Sequence, residues 1–345
     1  MPERSRRHPG GEPINAPQPT GGPPRQRDWC EDAPVLETAA DHLVAQRPRI
    51  GGEPVDVLVR TTCEGSRRKS LQRAVASVVS QRGVLARPVV VVAGAQPGSL
   101  PRLATRNGIR VHRIGADASP GRALTIARGL VDAPFFAFLD DDDELLPDAL
   151  VTRIAVLRAE PRVQVVVTTG YVARGKALRV HIGDIARHQG DPLRGIFERC
   201  WLASCGGLFR TDAVPHAMFD VLPDLCEWTC VAFRLAATSC SIRFVDRPTY
   251  VVHDSAGSAS KSDAFVEASL RVLDAMRAEP LPVADRRRLA QKHRATLHDA
   301  AERCRRAGRI GQAWRYHLLS LQPPGTLRYA AYTRKLFWSG NVEAA

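Results

Sequence analysis

The stretch FFAFLDDDDELLPDAL, residues 135–150, decides how the rest of the chain is read. Its first five residues form a continuous apolar run, the pattern of a strand covered on both faces. The run stops in Asp140, Asp141, Asp142, Asp143 and Glu144. Five adjacent carboxylates repel one another unless a cation sits among them or water solvates them all. An acidic helix start is the ordinary explanation, because carboxylates favour the positive end of a helix and Pro147 suits a first turn. That accounts for one or two acids before LLPDAL, not for four consecutive aspartates after FFAFL.

Working outward, VDVLVRTT at residues 55–62 reads as a strand that becomes polar at its C-terminal end. Residues 70–81 place Leu71, Val75, Val78 and Val79 at helical spacing. PVVVVA at 88–93 is a second fully covered strand, 108–114 a weaker one, and 120–130 a helix leading into the strand at 134–139. A helix follows Pro147 to about residue 159, then a strand at 162–168. DLCEWTCVAFRLA is read as a helix, and SIRFVDRPTYVVHD as a strand. Strands alternating with helices predict an α/β domain with a mainly parallel sheet. In such sheets ligands bind beyond the carboxyl ends of the strands. Thr61, Thr62 and the aspartates all fall at such ends, so the acidic run is read as a site.

The chain has 345 residues, a formal net charge of +13, 44% hydrophobic and 6% aromatic residues. No apolar stretch approaches the length of a membrane span. No nucleic-acid module is recognisable, so the basic balance points to anionic small molecules or an anionic membrane face rather than to nucleic acid. Residues 1–34 are rich in Pro, Gly and charge, lack the apolar core of a secretory signal, and are expected to form a disordered tail. Cys200, Cys205, Cys226 and Cys230 could hold zinc as two pairs, but their spacings are looser than those of zinc modules. They read as packed, reduced thiols, which points to the cytoplasm.

Carboxylates at a strand end suit Mg²⁺ or Mn²⁺, which takes one or two of them and completes its shell with phosphate oxygens and water. Here the residues reach a resemblance. FFAFLDDDDELLPDAL resembles the DxD segment of family 2 glycosyltransferases with the GT-A fold. In the same order, VDVLVRTTCEGSRRKSLQRAVASVVSQ resembles their first strand and helix, and PGRALTIARGLVDAPFFAFLDDDD their approach to DxD. LPDLCEWTCVAFRLA resembles the segment that supplies the catalytic base, and DRPTYVVHDSAGSAS the strand that follows it. The resemblance implies a mixed Rossmann-like sheet flanked by helices over residues 50–262, with a C-terminal helical appendage over 263–345.

It also implies roles. Asp142 would be the principal metal ligand, with Asp140 as a second. Asp140 and Asp141 would contact ribose or the metal shell, Thr61 would lie near the nucleotide base, and Arg122 would face the diphosphate. Glu227 would be the general base, with Asp224 the nearest substitute, and His253 would touch phosphate or acceptor. The implied reaction is inverting transfer of a sugar from a nucleotide-diphosphate donor to a glycan or lipid-linked acceptor. Two departures stand out. The family's acidic pair is Cys226-Glu227, and the second strand ends in Ala93-Gly94-Ala95 where the family carries an acid that reads the base. The competing readings are a nucleotidyltransferase, although TTCEGSRRKS holds only one glycine, and a non-catalytic nucleotide-sugar-binding or assembly protein.

Past residue 263 the chain reads as helices at 265–276, 284–308 and 311–321. Arg286, Arg287, Arg288, Arg303, Arg305, Arg306 and Arg309, followed by LRYAAYTRKLFWSG, suggest peripheral contact with the inner face of an anionic membrane.

Overall fold

The computed structural model describes residues 52–63, 67–94, 108–115, 117–175, 177–254, 258–321 and 327–339. The tail expected at 1–34 lies outside them. The described residues all belong to one compact unit, Pro48–Ala345.

The first half is laid down as β1 (Pro54–Thr61), α1 (Arg68–Val79), β2 (Leu85–Ala93), β3 (Arg110–Ile114), α2 (Pro120–Gly129) and β4 (Phe135–Asp140). β1 runs parallel to both β2 and β4, and β2 parallel to β3. Val55, Val57 and Val59 are fully buried, as are Val89, Val90 and Val91 in β2. Both faces of these strands are covered, which is why they read as unbroken apolar runs.

The second half adds β5 (Glu144–Leu145), α3 (Ala149–Ala159), β6 (Val165–Arg174), β7 (Ala177–Val180), α4 (Pro192–Glu198), β8 (Gly207–Arg210), α5 (Glu227–Ala237) and β9 (Ile242–His253). Among the described residues the sheet order is β3-β2-β1-β4-β8-β6-β9-β5, with β7 folded back on β6. β8 is antiparallel to β4 and β6, so the sheet is mixed, as the resemblance implies, with its first four strands parallel. β6 runs further than the sequence predicts, and its register with β9 shifts beside Thr169, opposite Pro248. Proline has no N–H for the ladder, which accounts for the irregularity.

Two apolar layers flank the sheet. One packs α1 and α3 against Val57, Val59, Ala137 and Leu139. The other packs α2 and α5 against Leu58, Val91, Phe136 and Phe138. Fully buried Asp56 fastens the start of β1 to its neighbours. Its carboxylate accepts from Arg87 Nε at 2.8 Å and from the backbone N–H groups of Asp132 and Ala133 at 2.9 and 3.1 Å. Arg110 Nη2 lies 2.7 Å from Oδ2, the oxygen that takes both backbone N–H groups, while Arg87 holds Oδ1.

The C-terminal helices are α6 (Asp263–Ala278), α7 (Val283–Arg306), α8 (Ile310–Ser320) and α9 (Thr333–Ser339). Ser262 caps α6 by accepting from Phe265 N at 3.1 Å. Ala268, Val272, Leu273, Met276 and Leu289 join the same apolar cluster as Val231, Ala232 and Leu235 of α5. Five of the seven arginines singled out above are ion-paired. Arg288 meets Asp285 and Asp191, Arg303 and Arg309 meet Asp263, and Arg305 and Arg306 meet Glu302. No helix among the described residues is long and apolar enough to cross a membrane.

Candidate active site

The acidic run sits where the parallel strands end, and the backbone sorts its carboxylates by depth. Asp141 and Asp143 are buried at 2% and 3% exposure, while the side chains of Asp140 and Asp142 are 28% and 40% exposed. The run therefore presents two carboxylates outward and turns two inward.

Basic side chains from neighbouring elements answer the repulsion. Arg60, next to last in β1 and in register with Asp140, donates from Nη2 to Asp140 Oδ1 at 3.2 Å. Its Nη1 donates to Glu227 Oε1 at 2.9 Å and to the Pro120 carbonyl at 3.1 Å. Burial opposes the guanidinium charge, but Asp140 and Glu227 outweigh it and raise the pKa above its ordinary value. Arg67, just before α1, lies 2.5 Å from Asp141 Oδ1 and 3.7 Å from Asp142 Oδ2. Arg73 of α1 pairs with Glu144 at 2.8 Å and donates to the Asp142 carbonyl at 3.0 Å.

The inward carboxylates have their own partners. Thr61 Oγ1 donates to Asp141 Oδ2 at 2.6 Å and accepts from Cys63 N at 2.9 Å. Burial pushes the Asp141 carboxyl above its usual range, and Thr61 and Arg67 pull against that. Asp143 is pushed well above the usual range, first by burial and then by the charges of Asp140 and Asp142. It accepts from His253 N at 3.2 Å, and the Cys205 thiol lies 3.7 Å away.

Glu227 is the first residue of α5, where the exposed N–H groups favour a carboxylate. Its side chain is 7% exposed. The loop before it carries two non-glycine residues with left-handed backbone, Val221 at φ 46° and Leu225 at φ 73°. Such conformations persist only where the surroundings hold them, and they gather at functional sites. Asp224, the substitute base, instead accepts from Gly121 N at 3.0 Å and fixes the start of α2. A Cβ at Gly121 would lie 2.3 Å from the Leu222 carbonyl, so only glycine lets this loop approach the helix. Gly94, ending β2, is similarly placed: a Cβ there would lie 2.7 Å from the Thr62 carbonyl.

The structure thus brings Asp140, Asp142, Asp141, Thr61 and Glu227 into one neighbourhood. His253 joins its edge, with Nε2 2.6 Å from Glu144 Oε1. Arg122 does not join. Its side chain is 66% exposed and lies 3.9 Å from Asp117 Oδ2. Sequence reasoning passed over Arg60, Arg67 and Arg73, although a lone arginine inside VDVLVRTT was a signal, since a charge in a buried strand needs a partner.

Among the described residues no three His, Cys, Asp or Glu side chains converge on one metal position. Two outward carboxylates still fit Mg²⁺ or Mn²⁺, which keeps waters and takes substrate phosphate oxygens. Of the four cysteines considered for zinc, Cys200, Cys226 and Cys230 pack in or against one apolar cluster, and among the described residues no three of the four converge on a metal position. Cys200 donates to the Leu202 carbonyl, Cys205 faces Asp143 and Cys226 lies 3.3 Å from Ser269 Oγ. A cleft of about 420 Å³ between α3 and the start of β9 is lined by Glu160, Arg162, Gln189 and Arg243; it lies at the other end of β6 and β9 and contains none of these site residues.

No family model and no curated protein matches this chain. Solved structures do. Residues 1–349 of S. aureus TarS, crystallised in complex with UDP-GlcNAc, match with a TM-score of 0.56 at 17% identity, over 81% of this chain and 83% of that one. A second crystal structure of S. aureus TarS 1–349 gives a TM-score of 0.51 at 15% identity, over 78% and 83%. At such identities the likeness speaks to architecture, and in architecture this chain shares the GT-A-like fold of TarS.

Proposed function

We propose that this protein is an inverting, divalent-metal-dependent glycosyltransferase that moves a sugar from a nucleotide-diphosphate donor to an acceptor hydroxyl. The observation that carries the reading is the single guanidinium, Arg60, joining the strand-end Asp140 to Glu227 at the start of α5. An acid for the donor side and a base for the acceptor side are thereby held together on a GT-A-like sheet. The UDP-GlcNAc in the TarS complex makes uridine-diphosphate sugars the first donors to try.

Asp142 and Asp140 would hold Mg²⁺ or Mn²⁺, which as a Lewis acid supplies charge neutralisation to a departing diphosphate. Asp140 or Asp141 would meet the ribose hydroxyls, and Thr61 supports Asp141 from β1. Glu227 would take the proton of the acceptor hydroxyl through Oε2, since Oε1 is committed to Arg60. The acceptor oxygen bonds to the anomeric carbon as the bond to the diphosphate oxygen breaks, and the electron pair leaves with the diphosphate. One displacement from the far face inverts the centre. His253 and Glu144 line the same strand ends and are assigned to phosphate or acceptor. Arg122 is the exposed residue that would have to turn inward to reach a diphosphate.

The acceptor is assigned to glycans or lipid-linked glycans. Contact with an anionic membrane face is assigned to the C-terminal helices, where exposed Leu318 and Phe337 lie near Trp314 and Arg315. A panel of nucleotide sugars tested for thermal stabilisation with and without Mn²⁺ checks the donor half, because a ligand bound only by the folded state raises its stability. Stabilisation by one donor class that depends on Mn²⁺, followed by transfer with inversion, is the expected result. A chain that binds the donor and neither hydrolyses nor transfers it is a non-catalytic binder. A chain that joins nucleotide to sugar phosphate is a nucleotidyltransferase.

A further inference from the structure

We propose that Arg60 is the positioning residue of this site: a resident cation that aims Glu227 and competes with a divalent ion for Asp140. The Glu227 half rests on the glycosyltransferase reading; the Asp140 half does not.

The argument begins with where Arg60 stands. Its neighbour two residues back, Leu58, is 1% exposed and packs in the core against α2 and α5. A charge on the same strand face is costly unless partners satisfy it. Arg60 has three acceptors from three elements: Asp140 at the end of β4, Glu227 at the start of α5, and the Pro120 carbonyl at the start of α2. Partly buried ion pairs of this kind, with Arg60 and Asp140 each about a quarter exposed, add little to stability compared with apolar packing, so holding the fold together is a weak account of the residue. What the arrangement does supply is geometry. The planar fork of arginine reaches three acceptors at once, which the single ammonium of lysine cannot match.

Two consequences follow. First, Glu227 is steered by its Oε1 bond, so Arg60 acts on turnover through Glu227 rather than separately. Second, the guanidinium occupies Asp140 Oδ1, an oxygen a divalent ion would use, and its charge repels a second cation nearby. The protein alone should then hold Mn²⁺ weakly. A diphosphate arriving with the ion brings the negative charge that tips the competition.

The test uses the full chain as wild type, Arg60→Met, Arg60→Lys, Glu227→Gln and the double variant Arg60→Met/Glu227→Gln. Mn²⁺ alone is the first probe, with free ion read by electron paramagnetic resonance. Arg60→Met should bind Mn²⁺ up to about fivefold more tightly than wild type, the upper end for one removed charge interaction at a part-exposed site, and Arg60→Lys should match wild type. Equal or weaker Mn²⁺ binding by Arg60→Met overturns the competition with Asp140.

Transfer kinetics are the second readout. Arg60→Met should lower kcat about tenfold or more with donor KM nearly unchanged, yet cost less than about twofold when Glu227 is already Gln. Losses that multiply instead would show that Arg60 does not act through Glu227. If the Met variant does not melt cooperatively, Arg60→Lys carries the same comparison, since it keeps the charge and loses the fork. If wild type turns over no nucleotide sugar, the glycosyltransferase reading falls with the Glu227 half, and the Mn²⁺ arm still decides the Asp140 half.

Discussion

Asp56→Ala tests whether the site rests on strand register. Asp56 is fully buried and takes four contacts, two from backbone N–H groups and two from arginines. Alanine leaves the N–H groups of Asp132 and Ala133 without acceptors, at about 1–3 kcal/mol each. Arg87 and Arg110 keep Asp132, which is 62% exposed, so their share of the loss is discounted. The total is about 2–6 kcal/mol. At roughly 2 °C per kcal/mol for a domain of this size, Tm should fall about 4–12 °C at pH 7. The pH dependence has a definite sign. Burial works against the Asp56 carboxylate, but the hydrogen bonds from Arg87 and Asp132 and the charges of both arginines prevail, and its pKa is lowered. Its contribution is therefore fully present above the ordinary carboxylate range and fades as pH falls through the folded value. The stability gap between wild type and Asp56→Asn should hold from pH 7 to about 5 and shrink below about pH 4. Circular dichroism melts across that range provide the assay. A loss under about 1 kcal/mol for Asp56→Ala, or a gap that widens in acid, would refute the reasoning.

Three further outcomes are expected. Glu227→Gln should leave donor affinity intact and cut turnover by about a hundredfold or more, read from initial rates; unchanged turnover would place the base elsewhere. Asp142→Ala should abolish the Mn²⁺-dependent part of donor stabilisation while keeping the wild-type melt without ligand, because its side chain is 40% exposed at a strand end; full activity in EDTA would sink the metal role. Cosedimentation with anionic liposomes should rise with anionic lipid, fall with salt, and depend on Leu318 and Phe337 more than on Arg303, Arg305 or Arg306, which are already paired; no sedimentation at low salt would remove the membrane assignment.

The strands and helices of the first half were legible because their periodicities are strong: VDVLV and PVVVV can only be covered strands, and SLQRAVASVV can only bury one helical stripe. The aspartates were legible as a candidate site because strand ends are where such folds bind ligands. The pairing inside the site was not, for a definite reason. Which carboxylate turns inward depends on backbone twist at the strand end, and which arginine answers it depends on register between β1 and β4. Arg60 and Asp56 were both visible as single charges in an apolar strand, a pattern that implies buried partners without naming them. Arg122 stands apart from the cluster, and a local segment says little about which way an exposed side chain at a helix start will turn. β7 escaped notice because all four of its residues are exposed, so no burial pattern marks it. Arg303 and Arg309 read as part of a basic face because their partner Asp263 lies about forty residues upstream, beyond any local pattern, whereas Arg288 with Asp285 and Arg305 and Arg306 with Glu302 sit at helical spacing and could have been paired from sequence.

The shared core between α5 and the C-terminal helices bears on how this chain can be cut and recombined. Val272, Leu273 and Met276 form the wall behind the helix that begins with Glu227, and Cys226, beside it, meets Ser269 of α6. The appendage is thus not an interchangeable cassette. A chimaera joined at residue 262, made to graft a different C-terminal region onto the same sheet, would replace the backing of α5 as well and shift Glu227, the residue proposed to deprotonate the acceptor. Exchanges that spare the site must cut beyond α7, because Leu289 of that helix joins Val272, Leu273 and Met276 in the same core.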